Sequence, residues 1–99
     1  MQDDIIYVVV KLQARAGKEE ALWKLLEPVV ETTRKEQGCR RYTVLRDRSN
    51  PAALSLLEEW ETEADLNTHL GLPHLQKLFS QLPDVLGAPP DIVRYRRLA

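Results

Sequence analysis

A single cysteine, Cys39, is all the thiol chemistry this 99-residue chain holds. It cannot close an internal disulfide, so the expected setting is a reducing cytoplasm. There is no Cys/His spacing of the zinc-binding kind, no G-x-G-x-x-G and no phosphate-cradling P-loop. The longest apolar run, Ile5 to Val10, is far too short to span a bilayer. The opening "MQDD" is acidic and lacks the basic-then-apolar layout of a secretory signal. A net charge of -1 gives no electrostatic reason to expect a nucleic acid or an acidic membrane as partner. Any chemistry must then come from ordinary side chains, a small substrate, or a cofactor held without a familiar loop.

The composition is that of a globular protein, 43% apolar and 29% charged, without low-complexity tracts. Residues 1–99 read as one domain with a thin core. Residues 4–14 are rich in β-branched side chains and predict a strand. From Lys18 the spacing turns helical, with Ala21, Leu22, Leu25, Leu26, Val29, Val30 and Thr33 on one face. Pro28 falls inside this helix, on its polar side, and should kink it. Gly38 is the expected stop. Strands follow over 40–47 and 54–61, separated by the turn "RSNPAA". Thr62 with Asp65 resembles a capping box opening a helix to about Leu70. Pro73 suits the first position of another helix, and "IVRYRRLA" is the last strand. The order β-α-β-β-α-α-β predicts an α+β fold, the ferredoxin-like split βαβ sandwich with helices on one face of one sheet.

The first strand is apolar on both faces, with Ile6, Val8, Val10 and Leu12 on one and Ile5, Tyr7 and Val9 on the other. Helices can cover only one of them. The most economical cover for the other is a second copy of the sheet, so a homodimer is expected; long side chains shielding that face are the other reading.

Alternation groups Leu56, Glu58 and Trp60 beneath the helices. A carboxylate there is either a general acid or base whose proton affinity is raised by burial, or a structural partner of an arginine such as Arg46. His69 shares the inward face of the short helix with Leu66 and Leu70. It is either a proton carrier or a satisfied core histidine. His74, beside Pro73, reads as a border residue. Ser55 has no nearby base, and Cys39 reads as a small buried thiol. The arginines of "CRRYTVLRDR" and "VRYRR" read as solvated strand edges, with a lesser reading in which one steers an anion.

Four stretches, "VVVKLQARAGKEEAL", "EQGCRRYTVLRD", "NPAALSLLEEWETEADLNTHLGLPHLQKL" and the last strand, resemble the antibiotic biosynthesis monooxygenase (ABM) family, most closely its small quinol-monooxygenase-like members. The specific pieces are G-C-x-x-Y at Gly38 to Tyr42 and the E-x-W … H run from Glu58 to His74. The resemblance implies a dimeric α+β barrel with a pocket between sheet and helices in each subunit. It implies oxygenation of a quinol, anthrone or related aromatic with O2 and no metal or flavin. His69 and Glu58 would be the catalytic pair, and Trp60, Leu56, Val10, Phe79, Tyr42 and His74 would contact substrate.

Two departures matter. Leu56 stands where polyketide-type oxygenases of the family carry an asparagine. Val10, His69 and Phe79 stand where haem-degrading relatives carry an Asn, a Trp and a His, which argues against haem degradation. The same family includes isomerases of small metabolites, so a proton-transfer enzyme on a small carbonyl compound and a non-catalytic small-molecule-binding dimer are the other readings.

Overall fold

A computed structural model describes residues 4–99; residues 1–3, on which most of the N-terminal reading rests, lie outside that range. The elements are β1 (Ile6–Gln13), α1 (Glu19–Arg34), β2 (Cys39–Arg46), β3 (Ala53–Trp60), α2 (Glu63–Leu70), α3 (Pro73–Gln81), a 3-10 turn (Leu82–Asp84) and β4 (Asp91–Tyr95). The strands form one antiparallel sheet in the order β2-β3-β1-β4. This is the ferredoxin-like arrangement predicted by the element order.

Each element follows from local chemistry. Helix α1 buries Leu22, Leu26, Val29, Val30 and Thr33 along one stripe and runs unbroken through Pro28. The proline's missing N–H falls on the exposed side, so the lost backbone bond costs the packed face nothing. Thr62 caps α2, its hydroxyl oxygen accepting the Asp65 N–H at 3.0 Å. Pro73 occupies the start of α3, where no N–H is needed. Gly38 has φ +81°, and a Cβ there would collide with the Asp65 carboxylate. This glycine therefore lets the α1–β2 turn lie against α2.

Cross-strand register sorts the sheet into rows. On the helix side run Tyr42, Glu58, Val8 and Arg94, and beside them Val44, Leu56, Val10 and Ile92. On the other side run Thr43, Leu57, Val9 and Val93, then Arg41, Glu59, Tyr7 and Tyr95. The helix-side face of β1 and β3 is buried by α1, α2 and α3, but the β4 end is not, and Ile92 stays 52% exposed. Arg15 ties the end of β1 to the 3-10 turn through the Leu86 and Pro83 carbonyls, at 2.8 and 2.9 Å. The helical layer is thus pinned to the sheet at the Arg15 end, and its cover thins over Ile92 of β4. No helix among the described residues is long and apolar enough to cross a membrane.

Candidate functional site

Between the sheet and α2 and α3 lies an apolar cavity of about 90 Å³. Val10, Leu56, Tyr42, Glu58, His69 and Phe79 all line it, with Arg94 and Ile92 at the β4 side. Strand alternation puts Val10, Leu56, Tyr42 and Glu58 there, because all four point to the helix face. His69 enters from α2 and Phe79 from α3.

Trp60 and His74, expected at the substrate, do not line this cavity. Trp60 is 0% exposed and lies behind it. Its indole N–H donates to Glu58 Oε1 at 2.9 Å, and its ring packs against His69 with centroids 4.5 Å apart. The tryptophan is therefore the backing of the two titratable groups. His74 sits on the far side of His69, ring centroids 6.2 Å apart, because α3 starts only three residues after α2 ends. Arg46, considered as a partner for Glu58, instead meets Glu20 at 3.2 Å. Of the arginines considered for an anion, Arg94 reaches the cavity; Arg46 and Arg96 do not. Arg94 is itself held by Glu63 at 2.8 Å and Asn67 at 3.3 Å, which moors β4 to α2.

The sequence reading missed Glu36. It follows the last turn of α1, in a stretch read only as a helix stop. Its Oε1 lies 2.8 Å from His69 Nδ1, across 33 residues of sequence. Its Oε2 lies 2.9 Å from His74 Nε2, a pair close enough to bond but not aligned for it. One carboxylate thus stands between two imidazoles. No local signal marks it, since a Glu near a helix end is ordinarily a solvated residue.

Burial sets the protonation states. His69 is 2% exposed, and burial holds its proton affinity below the usual imidazole value despite the opposing Glu36 carboxylate. The ring is then neutral near pH 7. A carboxylate oxygen accepting at Nδ1 favours the tautomer with the ring proton there, which leaves a lone pair on Nε2. Glu58 is pushed above the usual carboxylate range by burial, against the Trp60 N–H, and further by the Glu36 charge. Tyr42 is raised, chiefly by burial, and stays a neutral phenol. Burial and the charges of Glu36 and Glu58 push Cys39 up to about 11, so it is no thiolate nucleophile.

The arrangement supplies a proton acceptor, a high-affinity carboxyl and an apolar enclosure. Glu36, His69 and His74 also offer ligand atoms that lie within 4.8 Å of one another, where the sequence spacing gave no metal pattern.

Comparison with known proteins agrees with this frame. The family model described as "Antibiotic biosynthesis monooxygenase" matches residues 5–81. A protein of Synechocystis sp., sll1783, is 28% identical over 95% of this chain, which spans 64% of that protein's length. The Escherichia coli K12 protein named "Probable quinol monooxygenase YgiN" is 27% identical over 73% of this chain and 79% of its own. Among solved structures, a conserved protein from Methanosarcina mazei Go1 superposes with a TM-score of 0.90 at 34% identity, covering 95% of this chain and 93% of that one. Rv0793 from Mycobacterium tuberculosis superposes with a TM-score of 0.91 at 26% identity, covering 96% of each. With the family model matched over most of the sequence and the sheet topology in agreement, the chain belongs to the antibiotic biosynthesis monooxygenase family.

Proposed function

We propose that this protein is a monooxygenase that oxidises a small quinol or related hydroxyaromatic with O2 and no bound cofactor. The observation that carries the reading is an apolar cavity lined by His69, whose Nδ1 lies 2.8 Å from Glu36 Oε1, a carboxylate outside the cavity lining that favours the Nδ1–H tautomer. That tautomer leaves Nε2 to take a phenolic proton. The resulting phenolate is electron-rich enough to pass one electron to O2. The substrate radical and superoxide then combine at ring carbon to a hydroperoxide. Loss of water leaves one oxygen atom as a new carbonyl, and the other leaves in that water. The substrate supplies every electron, and the protein binds, deprotonates and excludes solvent. Glu58, with its raised proton affinity, is suited to hold a hydrogen bond to a second substrate oxygen.

Cavity size narrows the substrate. About 90 Å³ is smaller than the roughly 150 Å³ of an engineered cavity that takes benzene. A one-ring quinol would need the Phe79–Ile92 side to yield slightly, and a three-ring anthrone would need much more. Metal-stripped protein is expected to consume O2 with one-ring quinols faster than their autoxidation, and to favour them over anthrones. An oxygen electrode with 18O2 labelling of the product checks this. Turnover of a small carbonyl compound without O2 uptake would point to the isomerase reading instead, and ligand retention without any turnover to a binding module.

The reading includes a homodimer through the outer sheet face. Leu57, Val9 and Val93 form an apolar row there, flanked by Tyr7 and Tyr95. Covering that face in a partner removes an apolar strip from water. Light scattering should give twice the 11.4 kDa chain mass; a monomer at micromolar concentration would remove this part of the reading.

A further inference from the structure

We infer that Glu36, His69 and His74 form a binding site for one divalent transition-metal ion, at the outer end of the cavity wall. The donor set is two imidazoles and a carboxylate, the set that suits zinc, cobalt, manganese and ferrous ions. All three ligand atoms lie within 4.8 Å of one another. The two nitrogens flank the two carboxylate oxygens at 2.8 and 2.9 Å. Donors about 2.1 Å from an ion and at right angles to each other stand about 3 Å apart, so little movement is needed to admit one.

A second observation comes from the His74 side. His74 Nε2 and Glu36 Oε2 are both buried, and neither has an aligned hydrogen-bond partner. The two atoms stand within ion-pair reach at 2.9 Å but are misaligned for a hydrogen bond, which leaves two buried polar groups poorly satisfied. A cation between the histidines and the carboxylate would satisfy both at once. His69 and Glu36 alone have a sufficient explanation in their hydrogen bond; His74 does not. Two of the three ligands, Glu36 and His74, do not line the cavity, and only His69 belongs to both. His74 is part-exposed, which gives an ion a way in from solvent.

The consequence for the chemistry follows from the tautomer. An ion on His69 Nδ1 would leave the ring proton on Nε2, the nitrogen that the proposed reaction uses as its proton acceptor. The loaded and empty forms therefore present different groups to a substrate, and the empty form is the one suited to deprotonation.

The test is direct binding, with no turnover required. Metal-stripped full-length protein is titrated calorimetrically with Zn2+ and with Co2+, the latter also followed by its visible absorption. One ion per chain is expected. Losing even an indirect partner of a metal ligand weakens binding by ~10–100-fold, so His74→Ala and Glu36→Gln should each weaken it by about 100-fold or more. Circular dichroism checks that both variants fold, and His74, on the surface side, is the substitution that disturbs the core least. Absence of binding in the wild type would overturn the site. So would a different stoichiometry, or binding that survives both substitutions unchanged.

Discussion

Replacing Trp60 with alanine should leave the chain at the edge of unfolding. The side chain is 0% exposed, and truncating a buried Trp costs about 3–5 kcal/mol in lost contacts and residual cavity. A domain of this length has a total stability of roughly 5–15 kcal/mol. The same substitution strips Glu58 of its indole donor, which adds the cost of an unsatisfied buried group, about 1–3 kcal/mol. Trp60→Phe separates the two effects, since it keeps most of the packing and removes only the donor.

The phenylalanine variant also carries a pH signature. The Trp60 N–H holds the Glu58 proton affinity down, while burial holds it up. Without the donor, the folded carboxyl rises further above its ordinary 4.5. A carboxyl raised on folding contributes stability that is present below pH 4.5 and lost as pH climbs through its folded value. The Trp60→Phe deficit should therefore be smallest near pH 4 and grow toward pH 8. Urea unfolding across that range, followed by circular dichroism, reads it. A deficit that does not change with pH would show that the indole hydrogen bond does not govern Glu58.

The second large effect concerns the reaction. With a quinol that the wild type turns over, His69→Ala is expected to lower kcat by about 100- to 10,000-fold, the usual worth of a general base. KM should change far less, because His69 is one of many residues lining the cavity. The substitution opens a space the size of an imidazole beside the carboxylate of Glu36. Free imidazole in the buffer should enter it and restore part of the rate, an effect that a purely structural histidine would not show. A rise in KM with kcat intact would make His69 a wall of the cavity and no base.

The positions that local chemistry governs were readable along the chain. Period-two alternation in β3 correctly sent Leu56, Glu58 and Trp60 inward, and in β1 it separated Val8 and Val10 from Tyr7 and Val9 without deciding which pair the helices cover. The caps at Thr62 and Pro73 depend on backbone groups a few residues away, so they too are visible in sequence, whereas α1 ends at Arg34 with Lys35 as its cap, before the expected stop at Gly38. His69 could be placed on the inward face of α2 because its helical neighbours Leu66 and Leu70 point the same way. Its partner could not. Glu36 reaches His69 across 33 residues, and only the docking of α2 against the α1–β2 turn brings them to 2.8 Å. That docking depends on Gly38, where a side chain would strike Asp65.

Trp60 and His74 show the same limit from the other direction. Alternation gives the face on which Trp60 lies, but not the depth of the helical layer above it. Whether an inward side chain lines a cavity or backs it is settled by what packs over it. Here His69 lies against the indole and takes the place beside the open space. The family resemblance put His74 at the substrate, and the short α2–α3 turn instead carries it behind His69, to the carboxylate. Local periodicity fixes direction to within a face. The meeting of a carboxylate with two imidazoles from separate elements is a product of packing, and packing has no expression in the spacing of one segment.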